Sequence, residues 1–146
     1  MRFGADRAIN YKAKAFATEI KSLTDNRGVD VILDMVGGDY IQDNISCSAE
    51  DGRIVQIAFL KGSKEQLDLM PVMLKRLTLT GSTLRPRKPE FKAHLARELE
   101  QNVSPLLETG AVKIFIDKVF PLAEAAEAHR HMEASAHMGK IVLQVS

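Results

Sequence analysis

The feature that most constrains this chain is a repeated alternation. Short runs rich in apolar and β-branched residues are each followed by a stretch whose apolar residues recur at helical spacing. Such alternation predicts an α/β fold on a largely parallel sheet, because parallel neighbours need a crossover segment and helices supply it. "RAINY" (7–11) reads as a short strand. Residues 13–25 place Phe16, Ile20 and Leu23 on one helical face, and Asn26-Arg27-Gly28 supplies the stop. "VDVILDMV" (29–36) is the next strand; apolar on both faces, it is expected to lie under helices on both sides. "DYIQDNISCSAE" reads as a short helix with Asp39 as N-cap and Ile41, Ile45 and Ala49 on one face. Asp51-Gly52 then turns the chain into strand "RIVQIAF" (53–59).

Beyond a polar connection, "LDLMPVMLKR" predicts a short helix begun near Pro71, and "LTLTGSTL" a further strand. The stretch "PRKPEFKAHLARELEQNVSPLLETG" predicts a long helix that Pro105 kinks or restarts and Gly110 ends. The pattern then changes to extended "AVKIFIDKVFP", helical "LAEAAEAHRHMEAS" and extended "GKIVLQV", a small β-α-β tail. Residues 1–110 and 111–146 are therefore read as two parts, the first a partial, largely parallel sheet.

Charge narrows the function. Twenty basic against 19 acidic residues leave a net charge of +1, without the electropositive footprint of a nucleic-acid binder. No apolar run approaches the roughly 20 residues of a membrane span. The single cysteine, Cys47, excludes an internal disulfide and a clustered-thiolate zinc site, and the expected compartment is reducing and cytoplasmic. No metal site is expected either: His94, His129, His131 and His137 are not spaced as a ligand set. His129 is expected on the apolar stripe with Leu122, Ala125 and Ala126.

In open parallel sheets ligands lie outside the carboxyl ends of the strands. Three such ends are legible: Val36-Gly37-Gly38, Ile57-Ala58-Phe59-Leu60 and Ser82-Thr83-Leu84-Arg85. Glycines there either let backbone approach a flat or charged ligand or merely make a tight turn. Asp34 reads as a buried acceptor for nearby backbone N–H groups rather than as a catalytic acid. The glycine-rich phosphate-binding signatures are absent from the sequence, so any nucleotide site legible here is a partial one. No serine sits in a nucleophile elbow and Cys47 has no evident base, so the residues name no catalytic group.

Taken in order, "GADRAINYK", "GVDVILDMVGG", "DGRIVQIAF", "LTLTGSTLR", "VFPLAEAAEAHRHME" and "GKIVL" resemble the C-terminal half of the medium-chain dehydrogenase/reductase superfamily. Within it the match is best to the zinc-independent NADPH:quinone oxidoreductases. The resemblance implies a fragment that begins before the third Rossmann strand, with residues 111–146 as the returning piece of the catalytic, GroES-like lobe. It implies NADPH as cofactor, with Tyr11 beside the adenosine phosphate and Val36, Gly37 and Gly38 near the adenine and ribose. Ala58, Phe59 and Leu60 would lie beside the nicotinamide, with Ser82, Thr83 and Leu84 at the last nicotinamide-side strand end; Arg85 follows that strand end, and His137 stands where some relatives place an asparagine near the cofactor. It also implies a quinone-like substrate and a homodimer joined edge to edge through the strand from Leu77 to Leu84. A zinc-type alcohol dehydrogenase, an enoyl reductase, a methyltransferase-like sheet and a non-catalytic dimerising scaffold are the alternatives.

Overall fold

The computed structural model describes residues 4–145. The chain forms two compact units, one ending at Pro86 and one starting at Arg87.

In the first unit, α1 (Phe16–Leu23) leads to β1 (Val29–Asp34), α2 (Tyr40–Cys47), β2 (Ser48–Gln56), α3 (Met70–Leu74) and β3 (Thr78–Gly81). The three strands form a parallel sheet in the order β1-β2-β3, the α/β arrangement that the alternation predicts. Ile32, Ile54 and Leu79 pair across the sheet, and one residue further Leu33, Val55 and Thr80. Paired residues of a ladder share a face. On the first face Ile54 is 3% exposed, and Asp34, two residues along from Ile32, is 4% exposed, reaching Asn44 of α2. On the opposite face Val31 and Leu33 are 66% and 65% exposed. This corrects the expectation of helices on both sides of "VDVILDMV". The reason is topological: crossovers of one hand that step through the sheet in one direction all lay their helices on the same side.

Other expectations are corrected by the fold. "RAINY" forms no strand, since an extended segment with no neighbour leaves its N–H and C=O groups to water rather than to a ladder. Asp39 has helical backbone and no side-chain cap bond; its carboxylate instead receives both hydrogen bonds from Lys61 Nζ, at 3.1 and 3.3 Å. Strand β2 ends at Gln56 rather than Phe59, because its neighbour β1 ends at Asp34, the partner of Gln56 in the ladder.

The C-terminal end of α2 abuts β2 without a loop. Lys75 Nζ donates to the carbonyls of Ile45, Ser46 and Ser48 at 2.9 to 3.3 Å, so one ammonium satisfies acceptors that the helix end leaves over.

In the second unit, α4 (Pro89–Asn102) stops and α5 (Ser104–Glu108) restarts at the expected proline. Pro105 cannot donate a backbone bond, and its ring would press on the carbonyl four residues back. Strands β4 (Ile116–Pro121) and β5 (Lys140–Gln144) pair in parallel, with α6 (Ala125–Glu133) between them in sequence, which is the β-α-β tail read from the sequence. The buried position on α6 is Ala128, while His129 is exposed, a correction to its expected place in the apolar stripe. Alanine, lacking bulk and polarity, lets the helix approach the strands at that point.

Candidate functional site

Strand β1 ends in a turn that its own last residue builds. Asp34 is buried, and its Oδ1 accepts the backbone N–H of Val36 at 2.6 Å and of Gly37 at 3.2 Å, while Oδ2 accepts Asn44 Nδ2 at 3.0 Å. A carboxylate holding three donors has its lone pairs committed to structure. The expectation that Asp34 supports the turn therefore describes its observed contacts. Asn44, on the buried face of α2, is the partner that sequence reasoning missed; a polar residue inside an otherwise apolar helix face was the available signal.

The turn residues Gly37 and Gly38 both have positive φ, at +69° and +55°. A Cβ on Gly37 would stand 2.7 Å from the carbonyl oxygen of Gly62 and from the Phe59 ring, so a glycine is required by close approach as well as by backbone conformation.

That approach comes from the segment after β2. Ile57 N donates to Asp34 O, Leu60 N to Met35 O and Lys61 N to Val36 O, and Gly38 N donates back to Gly62 O. The ladder between β1 and β2 thus continues past both strands as a zip between two loops. Gln56 Nε2 adds bonds to the carbonyls of Asp34 and Ala58. Ala58, Phe59 and Leu60 are held on the Gly37-Gly38 turn, and the Phe59 and Leu60 side chains are exposed, 49% and 76%.

One more expected residue, Tyr11, reaches this edge. Tyr11 meets the Tyr40 ring edge-on, with centroids 6.4 Å apart, and Tyr40 stacks on Phe16 at 5.0 Å. Lys61 Nζ lies 4.5 Å above the same Tyr40 ring while paired to Asp39, so a cation and two tyrosines share the rim beside the diglycine turn. Lys61, which by composition alone reads as solvated surface, is placed there by its backbone bond to Val36.

On the other side of β2, Ser82 N donates to Gln56 O at 3.0 Å, which sets Ser82, Thr83, Leu84 and Arg85 beyond the end of β3. The carboxyl ends of three adjacent strands therefore open on one edge of the sheet. His137 lies in the second unit, where its ring approaches that of His131.

Cys47, the last residue of α2, is buried, and burial pushes its thiol up from the ordinary value; a protonated thiol enclosed in this way is no nucleophile. Among the described residues no group of three or more His, Cys, Asp or Glu side chains is placed to hold a metal ion, and no helix is long and apolar enough to cross a membrane.

Compared with known proteins, residues 3–143 match the model of a family described as zinc-binding dehydrogenase. The chain belongs to that family. This is the medium-chain dehydrogenase/reductase assignment to which the six sequence motifs point. Among relatives of this zinc-binding dehydrogenase chain, the highly reducing polyketide synthase cm3B of Cordyceps militaris is 34% identical over 145 residues, which cover 97% of this chain and 6% of that protein. Quinone oxidoreductase-like protein 2 of Bos taurus is 29% identical over 146 residues, covering 99% of this chain and 41% of that one. A crystal structure of an NAD-dependent alcohol dehydrogenase superposes with a TM-score of 0.77 at 32% identity, over 98% of this chain and 39% of that chain. The chain thus spans less than half the length of each of these relatives.

Proposed function

We propose that this chain is the strand-end part of an NADPH-dependent quinone oxidoreductase, in which a hydride passes from the nicotinamide to a quinone or a similarly activated carbonyl or alkene. The observation that carries the reading is the single sheet edge where Gly37-Gly38, the loop 57–62 and the residues after β3 come together, with the tyrosine and lysine rim at one side. Two features favour a dinucleotide there: the diglycine turn lets the loop 59–62 close onto the strand end, and the exposed Phe59 and Leu60 give a flat ring an apolar surface. Bound there, the cofactor supplies the hydride; the protein's own part is to position it and to keep its surroundings dry. Tyr11, Val36, Gly37 and Gly38 would hold the adenosine side, and Ala58, Phe59, Leu60, Ser82, Thr83, Leu84 and Arg85 the nicotinamide side. Residues 1–110 would belong to the nucleotide-binding domain and 111–146 to the returning piece of the catalytic lobe, with the whole protein cytoplasmic.

Strand β3 is an edge strand whose four residues are all exposed, which favours pairing through the edge from Leu77 to Leu84 with a second copy. The homodimer is proposed on that observation.

An alcohol dehydrogenase is the second reading, supported by the solved relative of that activity. Turnover separates the two. The longer protein carrying this chain should oxidise NADPH with a quinone such as 9,10-phenanthrenequinone and retain that rate after dialysis against a chelator. Alcohol oxidation that is lost on chelation, without quinone reduction, would overturn the proposal in favour of the second reading.

A further inference from the structure

We propose that α3 forms a second layer of the interface between two copies of this chain: the apolar face made by Leu69, Met70, Met73 and Leu74 packs against the same face of a second copy when β3 pairs edge to edge. This rests on the reading of β3 as the pairing edge, to which it adds a helical layer.

α3 shows one side to its own chain and the opposite side to solvent. Pro71, Val72 and Lys75 are half-buried, whereas Leu69, Met70, Met73 and Leu74 are 59 to 70% exposed. At a helical repeat of about 100° per residue these two sets occupy opposite arcs. The half-buried arc meets α2: Lys75 Nζ donates to the carbonyls of Ile45, Ser46 and Ser48, and just before the helix Asp68 N donates to Gln42 Oε1. α2 crosses from β1 to β2 and α3 from β2 to β3, and crossovers of one hand lay both on the same side of the sheet. The side of α3 turned away from α2 is therefore the side on which the sheet itself stops, at β3.

Both layers reach this boundary unprotected. A strand edge left to water is ordinarily blunted by lysine, proline or a bulge. Thr78, Leu79, Thr80 and Gly81 supply neither a charge nor a proline. Ser82 N bonds inward to Gln56 O, so by the alternation of a strand Leu79 and Gly81 direct their backbone N–H and C=O groups outward. The cations next to the α3 face are held within the chain, Lys75 on its three carbonyls and Arg76 by Glu50 and Asp51, so neither interrupts the face.

A second copy is the partner that matches strand edge and helix face at once. A two-fold axis perpendicular to the sheet runs β3 antiparallel to its counterpart and sets the two α3 helices side by side on one face of a continuous sheet. Antiparallel helices bring opposite ends together, here the Asp68 end of one α3 beside the Arg76 end of the other, a complementary arrangement of charge. Unbranched methionine side chains adapt readily to such self-packing. The four exposed side chains amount to a few hundred Å² of apolar surface by order of magnitude, the size that marks association surfaces on soluble proteins. The strand edge, with Leu79 and Leu84 also exposed, extends it toward the ~800 Å² per partner of a standard interface.

The test is sedimentation equilibrium of the longer protein carrying this chain, as wild type and as Met73→Lys, with bismaleimide crosslinking of Met73→Cys beside it. Lysine matches methionine in helix propensity and position 73 is exposed within one copy, so Met73→Lys should keep the wild-type circular dichroism. The wild type should be a dimer. Met73→Lys should raise its dissociation constant at least about a hundredfold, because it sets like charges into the covered face of both copies. Met73→Cys should crosslink to a covalent dimer in a yield that wild type, treated in the same way, does not reach; this decides the matter if the lysine variant does not fold. A wild-type dimer whose dissociation constant Met73→Lys leaves unchanged, or whose Met73→Cys form does not crosslink, would overturn the part of α3 and leave the β3 edge standing. A monomeric wild type would overturn the edge pairing itself, and the α3 layer with it.

Discussion

Asp34→Ala is expected to cost about 4 kcal/mol of stability, read as a lower urea midpoint at constant slope. That size follows from what the carboxylate holds. Removing it strands the N–H of Val36 and Gly37 and the amide of Asn44, of which Gly37 N–H and Asn44 Nδ2 are bonded in buried surroundings. Each buried donor left unmade costs about 1–3 kcal/mol. Asp34→Asn keeps one acceptor oxygen for the turn, and Asn44 can present its own oxygen to the new amide, so its loss should be nearer to about 1–2 kcal/mol. Equal losses for the two variants would mean that the turn does not depend on the acceptor. The effect should spread along the edge, because Lys61 N, Leu60 N and Ile57 N all bond to carbonyls at positions 34–36.

Gly28→Ala should be nearly as damaging, at about 3 kcal/mol by the same denaturation measurement. Gly28 has φ +85°, which alone disfavours a side chain by about 1–2 kcal/mol. An added Cβ would also stand 2.6 to 2.8 Å from backbone atoms of Cys47, Ser48 and Ala49, where α2 passes into β2. These atoms are not the far end of a flexible side chain; relief would require α2, anchored through Lys75, to shift. By contrast a Cβ on Gly110, also at positive φ, meets nothing within 4 Å, so Gly110→Ala should cost only the backbone part. If the two substitutions proved equal, the contact with the α2–β2 junction would carry no weight.

Gly28 illustrates what was legible in the sequence and what was not. That the helix is broken before Gly28 follows from the local signal, although α1 already ends at Leu23 and the first left-handed residues are Asp25 and Asn26. That the same glycine is packed against residues 47–49 is a long-range fact with no local trace. The same division holds elsewhere. β1, the short helix at Pro71, the restart at Pro105 and the β-α-β tail all follow from punctuation by proline and glycine and from apolar period, which are local. "RAINY" has the composition of a strand and lacks a neighbour, and a strand is a property of the pair rather than of the segment.

At the site, the three strand ends and the supporting role of Asp34 are readable because sheet chemistry places ligands and turns at predictable ends of strands. Lys61 could not be singled out, and Asn44 only as a polar residue on an otherwise apolar helix face. Asn44 matters through a partner ten residues away, and Lys61 through a backbone bond to Val36 that exists only once β1 and β2 are in register. Asp39 reads as a cap from its type and position, but the Lys61 ammonium competes successfully for its carboxylate. The covered face of β1 carries Ile32 and Asp34 and the uncovered one Val31 and Leu33, so apolar character alone would point to the wrong face; the direction of the crossovers decides.

The central claim is that this sheet edge forms half of a dinucleotide site, with the phosphate cradle supplied by a glycine-rich segment outside these 146 residues. Calorimetric titration of NADPH tests it most directly, performed on this chain and on a version extended N-terminally through such a segment. The account predicts that the extended protein binds NADPH, that this chain alone binds at least about a hundredfold more weakly, and that Gly37→Val in the extended protein removes most of the affinity. Failure of the extended protein to bind NADPH, or binding that Gly37→Val leaves unchanged, would contradict it.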